Sequence, residues 1–93
     1  MNYKYQIKKT KHFVKDTEKM KKRNLNMEKL KDIIITLSKG EELPAKNKDH
    51  SLKGDWTGYR ECHIEPDWLL IYRIDNGNLI LSLMRTGTHS DLF

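Results

Sequence analysis

The sequence predicts an α+β domain running β-α-α-β-β-β, with a mainly antiparallel sheet and a two-helix hairpin packed on one face. Two observations carry this. Apolar residues at helical spacing mark the first half of the chain, and three strand-like runs divided by turn signals fill the second. At 93 residues the chain is one domain with a small core, so a cleft must be built on the sheet or between the sheet and the helices.

Tyr3, Tyr5 and Ile7 alternate with Lys4, Gln6 and Lys8, which reads as an opening strand with one wet face. Thr10 is placed to cap a helix whose apolar positions are Phe13, Val14, Thr17 and Met20, set among lysines. Asn24 or Asn26 starts a second helix. There Met27, Leu30, Ile33, Ile34 and Leu37 form a core-facing stripe, and Gly40 supplies the stop. Pro44, Gly54 and many polar residues then make a loop region, placing His50 on a loop or at a loop-to-strand entry. Strands follow at 59–64, 68–74 and 79–84, the last two joined by the turn Asp75-Asn76-Gly77-Asn78.

Net charge is +5, unevenly spread. Residues 1–31 hold 11 Lys/Arg against 3 Asp/Glu, a balance of +8, and residues 32–93 hold 7 against 10, a balance of −3. The basic half is the helical half. A polyanion is its natural partner, and Lys15, Lys19, Lys22 and Arg23 are the candidate contacts; the plain alternative is a solvated lysine-rich face. A single cysteine, Cys62, fits a reducing compartment. The amino terminus Met1-Asn2-Tyr3-Lys4-Tyr5 has no apolar leader core, so the expected location is the cytoplasm, away from membranes.

Three of the four histidines, His50, His63 and His89, fall in the second half beside Arg60, Arg85, Asp67 and a terminal Phe93. These are the groups that cut RNA by acid/base chemistry. His63 shares strand parity with Tyr59 and Glu61, whereas Arg60, Cys62 and Ile64 point the other way. Asp67 follows Pro66 at a strand entry, where a turn carboxylate bonding local backbone would look the same. Arg85 shares parity with Leu79, Leu81 and Leu83, so either the strand ends before it or a bulge re-aims it. His89 lies in a tail too short for structure of its own, and His12 sits at the surface among helix lysines. A metal site is disfavoured, because no short His-x-His or His-x₃-His pair and no cysteine cluster is present. Cys62 faces away from His63, which also argues against a Cys/His nucleophile pair.

The ensemble is more specific than its members. Leu52-Lys53-Gly54-Asp55-Trp56, Tyr59-Arg60-Glu61-Cys62-His63, Pro66-Asp67-Trp68-Leu69-Leu70-Ile71-Tyr72 and the final Arg85-Thr86-Gly87-Thr88-His89-Ser90-Asp91-Leu92-Phe93 closely resemble the YafQ branch of the RelE/ParE toxin superfamily. The resemblance spans essentially the whole chain. It implies the toxin half of a type II toxin–antitoxin pair, an endoribonuclease that enters the ribosomal A site and cleaves mRNA there. The family's functional positions carry over onto His50, His63, Asp67, Arg85, His89 and Phe93, with Glu61, Arg60 and Trp68 as possible supports. Glu61 stands where close relatives are expected to carry Asp. The implied partners are an acidic antitoxin that folds on binding and the 70S ribosome with mRNA; no cofactor or metal is called for.

Cleavage without metal uses the 2′-OH as nucleophile and needs a base, an acid for the 5′-oxygen, and positive charge at the phosphorane. The assignment is His89 as acid, His50 as base, and His63 orienting or substituting. Asp67 would keep one imidazole protonated, Arg85 would offer its fork to the phosphate, and Phe93 would stack on a base. Alternatives are a ParE-like gyrase-targeting toxin and a non-catalytic RNA-binding domain.

Overall fold

The computed structural model describes residues 3–93; Met1 and Asn2, which open the stretch read for a leader, lie outside the described residues. Five strands form one mixed sheet in the order β1-β5-β4-β3-β2. They are β1, Gln6–Lys9; β2, His50–Ser51; β3, Arg60–Glu65; β4, Trp68–Asp75; and β5, Ile80–Gly87. The helices are α1, Lys11–Lys22; α2, Met27–Ser38; and α3, His89–Leu92. The predicted frame is present with two additions: His50 opens a short edge strand, and the tail closes into a helical turn.

Local chemistry sets the helix ends. The Thr10 side chain accepts the Phe13 N–H at 3.0 Å to start α1, and the Asn26 side chain accepts the Glu28 N–H at 3.0 Å to start α2. Asn24, the other candidate, instead adopts a left-handed φ of 61° between the helices. Gly40 ends α2 at φ +76°, where an added Cβ would lie 2.8 Å from Lys4 Cδ. Phe13, Met20, Leu30, Ile33 and Leu37 pack against Cys62, Ile64, Trp68, Leu70, Tyr72, Leu81 and Leu83. No helix among the described residues is long and apolar enough to cross a membrane.

The sheet's other face has its own cover. Leu69, Ile71 and Leu92 are buried there, with Leu52, Trp56, Tyr59 and Met84 packed around them. β4 is therefore apolar on both sides, which explains the unbroken Trp68-Leu69-Leu70-Ile71-Tyr72 run. The opening strand departs from its expectation. Tyr3 and Tyr5 precede β1, and Tyr5 is buried, donating its hydroxyl to Asn76 Oδ1 at 2.7 Å. All of β1 is exposed, Ile7 at 39%, because it is an outer strand paired only with β5, in parallel.

One irregularity positions the site. The β4–β5 register shifts so that Tyr72 faces Leu83 while Ile71 faces Arg85, leaving Met84 as an extra residue. Of the two ways parity left open, the strand takes the bulge: it continues past Arg85 and turns it onto the Ile71 face, away from Leu81 and Leu83. β1 stops opposite Leu83, and side chains satisfy the β5 backbone beyond it. The Thr10 hydroxyl donates to the Met84 carbonyl at 2.8 Å, and Asp16 Oδ2 accepts the Thr86 N–H at 3.1 Å.

Candidate active site

Strand pairing sets His50, Glu61, Ile71 and Arg85 in one row across β2, β3, β4 and β5. His63 faces Leu69 in the neighbouring row of the same face. At about 4.8 Å per strand the row from His50 to Arg85 spans about 14 Å, the scale of a few nucleotides.

All three imidazoles are held the same way. His50 Nδ1 lies 2.7 Å from the Lys48 carbonyl, His63 Nδ1 3.1 Å from the Pro66 carbonyl, and His89 Nδ1 2.7 Å from Asp67 Oδ1. Because these oxygens accept, each neutral ring carries its proton on Nδ1 and keeps Nε2 free to accept a proton. His50 Nε2 and His63 Nε2 lie 3.7 and 3.8 Å from the same oxygen, Glu61 Oε1. Glu61 is buried, so its carboxylate is a fixed element between two imidazoles. The His63 and His89 rings are 5.9 Å apart.

His89 reaches this face through its own helix. Thr88 and Asp91 form a reciprocal capping box, in which Thr88 Oγ1 accepts the Asp91 N–H at 3.2 Å and Asp91 Oδ2 accepts the Thr88 N–H at 2.9 Å. The tail therefore does have structure of its own, because one capped turn anchored by the buried Leu92 suffices. Asp67 accepts both the His89 backbone N–H, at 3.0 Å, and the Nδ1 proton. These bonds, the backbone one first, hold its carboxyl below the usual range.

Arg85 is on the site face but not free. Its Nε and Nη2 donate to Asp16 at 2.7 and 3.2 Å, which raises the guanidinium pKa further. Phe93 is 60% exposed and meets Trp56 edge-to-face at 6.4 Å, and Trp56 meets Tyr59 likewise at 5.5 Å. The site thus has a carboxylate flanked by two imidazoles, a third imidazole on its own carboxylate, an anchored guanidinium and an aromatic rim.

Several expectations change. Trp68 is not at the site: it is buried on the helix side, its Nε1 donating to Thr86 Oγ1 at 2.9 Å. Arg60 also faces the helix side, bonded to Asp49 at 3.3 Å and Ser51 at 2.8 Å. Glu61, ranked only as a support, is central. Lys15, Lys19 and Lys22 are exposed along α1, but Arg23 is bound to Asp91. Sequence reasoning passed over Asp16, Trp56 and Tyr59. Asp16 had a legible signal: it shares the helical stripe of Phe13 and Met20, where a carboxylate requires a partner. The buried Cys62 thiol, on the opposite face, is pushed up to about 12 by burial. Among the described residues, no group of three or more His, Cys, Asp or Glu is placed to hold a metal ion.

Comparison with known proteins adds to this geometry. A family model described as the bacterial toxin of type II toxin–antitoxin system, YafQ, matches residues 5–93. The chain is 45% identical over 82 residues to the mRNA interferase toxin YafQ of Escherichia coli K12, covering 87% of each. It is similar to the crystal structure of YafQ from E. coli BL21(DE3), with TM-score 0.89, 41% identity, and coverage of 96% of this chain and 98% of that one. The crystal structure of the E. coli DinJ–YafQ toxin–antitoxin complex matches with TM-score 0.88 and 42% identity over 97% and 98%.

Proposed function

The chain belongs to the YafQ family of type II toxin–antitoxin toxins, and from that premise we propose that it is an mRNA interferase, an endoribonuclease acting in the cytoplasm on ribosome-bound mRNA. Its partners are the ribosome and an acidic antitoxin that folds as it binds. The observation that carries the reading is the common presentation of three Nε2 atoms on one face, with each Nδ1 held by an oxygen.

In this mechanism the 2′-OH attacks the adjacent phosphorus, and the 5′-oxygen leaves, giving a 2′,3′-cyclic phosphate and a 5′-OH. His50 Nε2 takes the 2′-OH proton, with Glu61 beside it to stabilise the imidazolium that forms. His63 shares Glu61 and orients the nucleophile or substitutes for His50. His89 donates to the 5′-oxygen, its ring held by the Asp67 carboxylate 2.7 Å from Nδ1. Arg85 has five N–H donors and Asp16 engages two bonds, so the remaining donors can face the phosphorane without reorganising. Phe93 and Trp56 offer ring surface to an unstacked base.

Single-turnover cleavage of mRNA on intact ribosomes tests the reading. The expected rate is bell-shaped in pH with both limbs near neutrality, and it survives EDTA. His50→Ala and His89→Ala should each remove a limb or most of the rate. Full activity in His89→Ala, or complete loss in EDTA with ribosomes intact, would reject the mechanism.

A further inference from the structure

We infer that Arg23 and Asp91 are a positioning pair for cleavage, fastening the His89-bearing α3 to the far end of α1; this rests on the proposed role of His89. Arg23 caps the C-terminal end of α1, and its Nη1 and Nη2 donate to the two Asp91 carboxylate oxygens at 2.7 and 3.0 Å. The partners are 68 residues apart in sequence. Asp91 simultaneously accepts from the Thr88 N–H and from the Thr88 hydroxyl, at 2.9 and 3.0 Å. One carboxylate therefore ties the α1 end to the residue immediately before His89.

The approach is close enough to dictate its neighbour. A Cβ on Gly87 would lie 2.9 Å from Asp91 Cβ and 3.0 Å from Oδ2, so a side chain there would displace the carboxylate. Beyond Asp91 the chain turns so that Leu92 is buried on the sheet, and ahead of it His89 meets Asp67. Three contacts thus fix α3: Leu92 below, Asp67 on the imidazole side, and Arg23 on the α1 side. A bidentate fork restrains orientation as well as distance, which a lone lysine contact would not. Arg23 lies at the end of the lysine-rich helix, but its fork is committed to Asp91, so its contribution is to alignment of the acid.

The test is a double-mutant cycle of Arg23→Gln and Asp91→Asn, with Arg23→Lys as the conservative variant and His89→Ala as control. Cleavage of ribosome-bound mRNA is measured at saturating and subsaturating ribosomes, and the His89 tautomer is read from long-range ¹H–¹⁵N imidazole spectra of the free toxin. An exposed pair adds little to stability, so each variant should keep a single cooperative melt. The rate at saturation should fall on the order of tenfold to a hundredfold in either single variant with KM for ribosomes unchanged. The double variant should be no worse than the singles, and Arg23→Lys should recover part of the rate. The His89 spectrum should lose its Nδ1–H pattern in Arg23→Gln and Asp91→Asn.

If Arg23→Gln instead raises KM, reduces the salt dependence of ribosome binding and leaves the saturated rate and the tautomer intact, Arg23 is a phosphate contact and the inference fails. Undiminished cleavage by His89→Ala would overturn the acid assignment instead. In that case the imidazole spectra still decide whether Arg23 positions His89.

Discussion

Truncating Leu92 to alanine should loosen α3 by an amount that the structure allows to be worked out. Leu92 is 8% exposed against Leu69 and Ile71. Burying a leucine side chain is worth about 1.5–3 kcal/mol, so removing most of it costs the docked tail about 2 kcal/mol. The Arg23–Asp91 pair, with Arg23 42% exposed, is screened by solvent and adds less. Leu92 is then the larger anchor, and its loss should raise the undocked population of the tail about thirtyfold, at 1.36 kcal/mol per tenfold.

Carboxypeptidase trimming reads that population directly when opening and closing are fast relative to cleavage. Native-state hydrogen exchange reads it at the Leu92 and Phe93 amides, which bond to Thr88 and His89 carbonyls at 3.1 and 2.9 Å. Both should accelerate about thirtyfold in Leu92→Ala. In the wild-type chain the tail amides should show almost no dependence on low denaturant, because a local opening exposes little surface, whereas β4 and β5 amides should show a steep one. Unchanged trimming would show that Leu92 is not the anchor. Tail amides that follow the denaturant dependence of the core would show that α3 opens only on global unfolding.

Asp67→Asn should slow single-turnover cleavage by about 10²-fold or less without weakening ribosome binding, since it removes the anion behind the proposed acid; an unaltered rate would reject that pairing. Asp91 is held well below the usual carboxylate range, Arg23 contributing most, so its stabilisation of the tail is present above its unfolded value of about 4 and is lost as pH falls through the folded value. Tail protection, taken relative to the intrinsic exchange rate, should accordingly fall on acidification below about pH 4, and Asp91→Asn should reduce that pH dependence to the part that Asp67 contributes. Reversing Lys15, Lys19 and Lys22 to Glu should weaken ribosome binding and flatten its salt dependence by up to about three counterions while sparing the saturated rate; binding that stays salt-steep would exclude α1 as the contact. Phe93→Ala should cost about 1–3 kcal/mol in mRNA engagement if the ring stacks on a base, read as a rise in KM on ribosomes.

The fold was legible where periodicity was strong and local. Thr10, the α2 stripe and Gly40 located the helices because capping and amphipathic spacing are short-range effects. β1 was misplaced by three residues: its alternation came from Tyr3 and Tyr5, yet Tyr5 is buried beside Asn76 rather than within the strand. The strand itself is fixed by long-range parallel pairing to β5, which leaves no period-two signature when both faces are exposed. The tail was read as unstructured because four helical residues fall below any periodic signal. The S/T-x-x-D spacing of Thr88 and Asp91 was the cue that was present and unused.

The site divided along the same line. Strand parity was enough to put Glu61 and His63 on one face and Arg60 and Cys62 on the other, and it exposed the conflict at Arg85 that the Met84 bulge resolves. Parity could not supply partners. Asp16 on Arg85 and Asp91 on Arg23 are contacts 69 and 68 residues apart, and each takes a guanidinium that sequence reasoning had left for phosphate. This bears on affinity. The half of the chain bearing the three site histidines already carries −3, and with Arg85 balanced by Asp16 its attraction for a polyanion is weak. The exposed lysines of α1, in the +8 half, lie on a different element. Under the proposed function, a surface so divided favours a substrate presented by a larger anionic partner, with α1 supplying attraction and the sheet face aligning one phosphate. This division of charge supports the ribosome-dependent cleavage proposed above, and under that proposal mutations of α1 and of the histidine face should separate binding from chemistry.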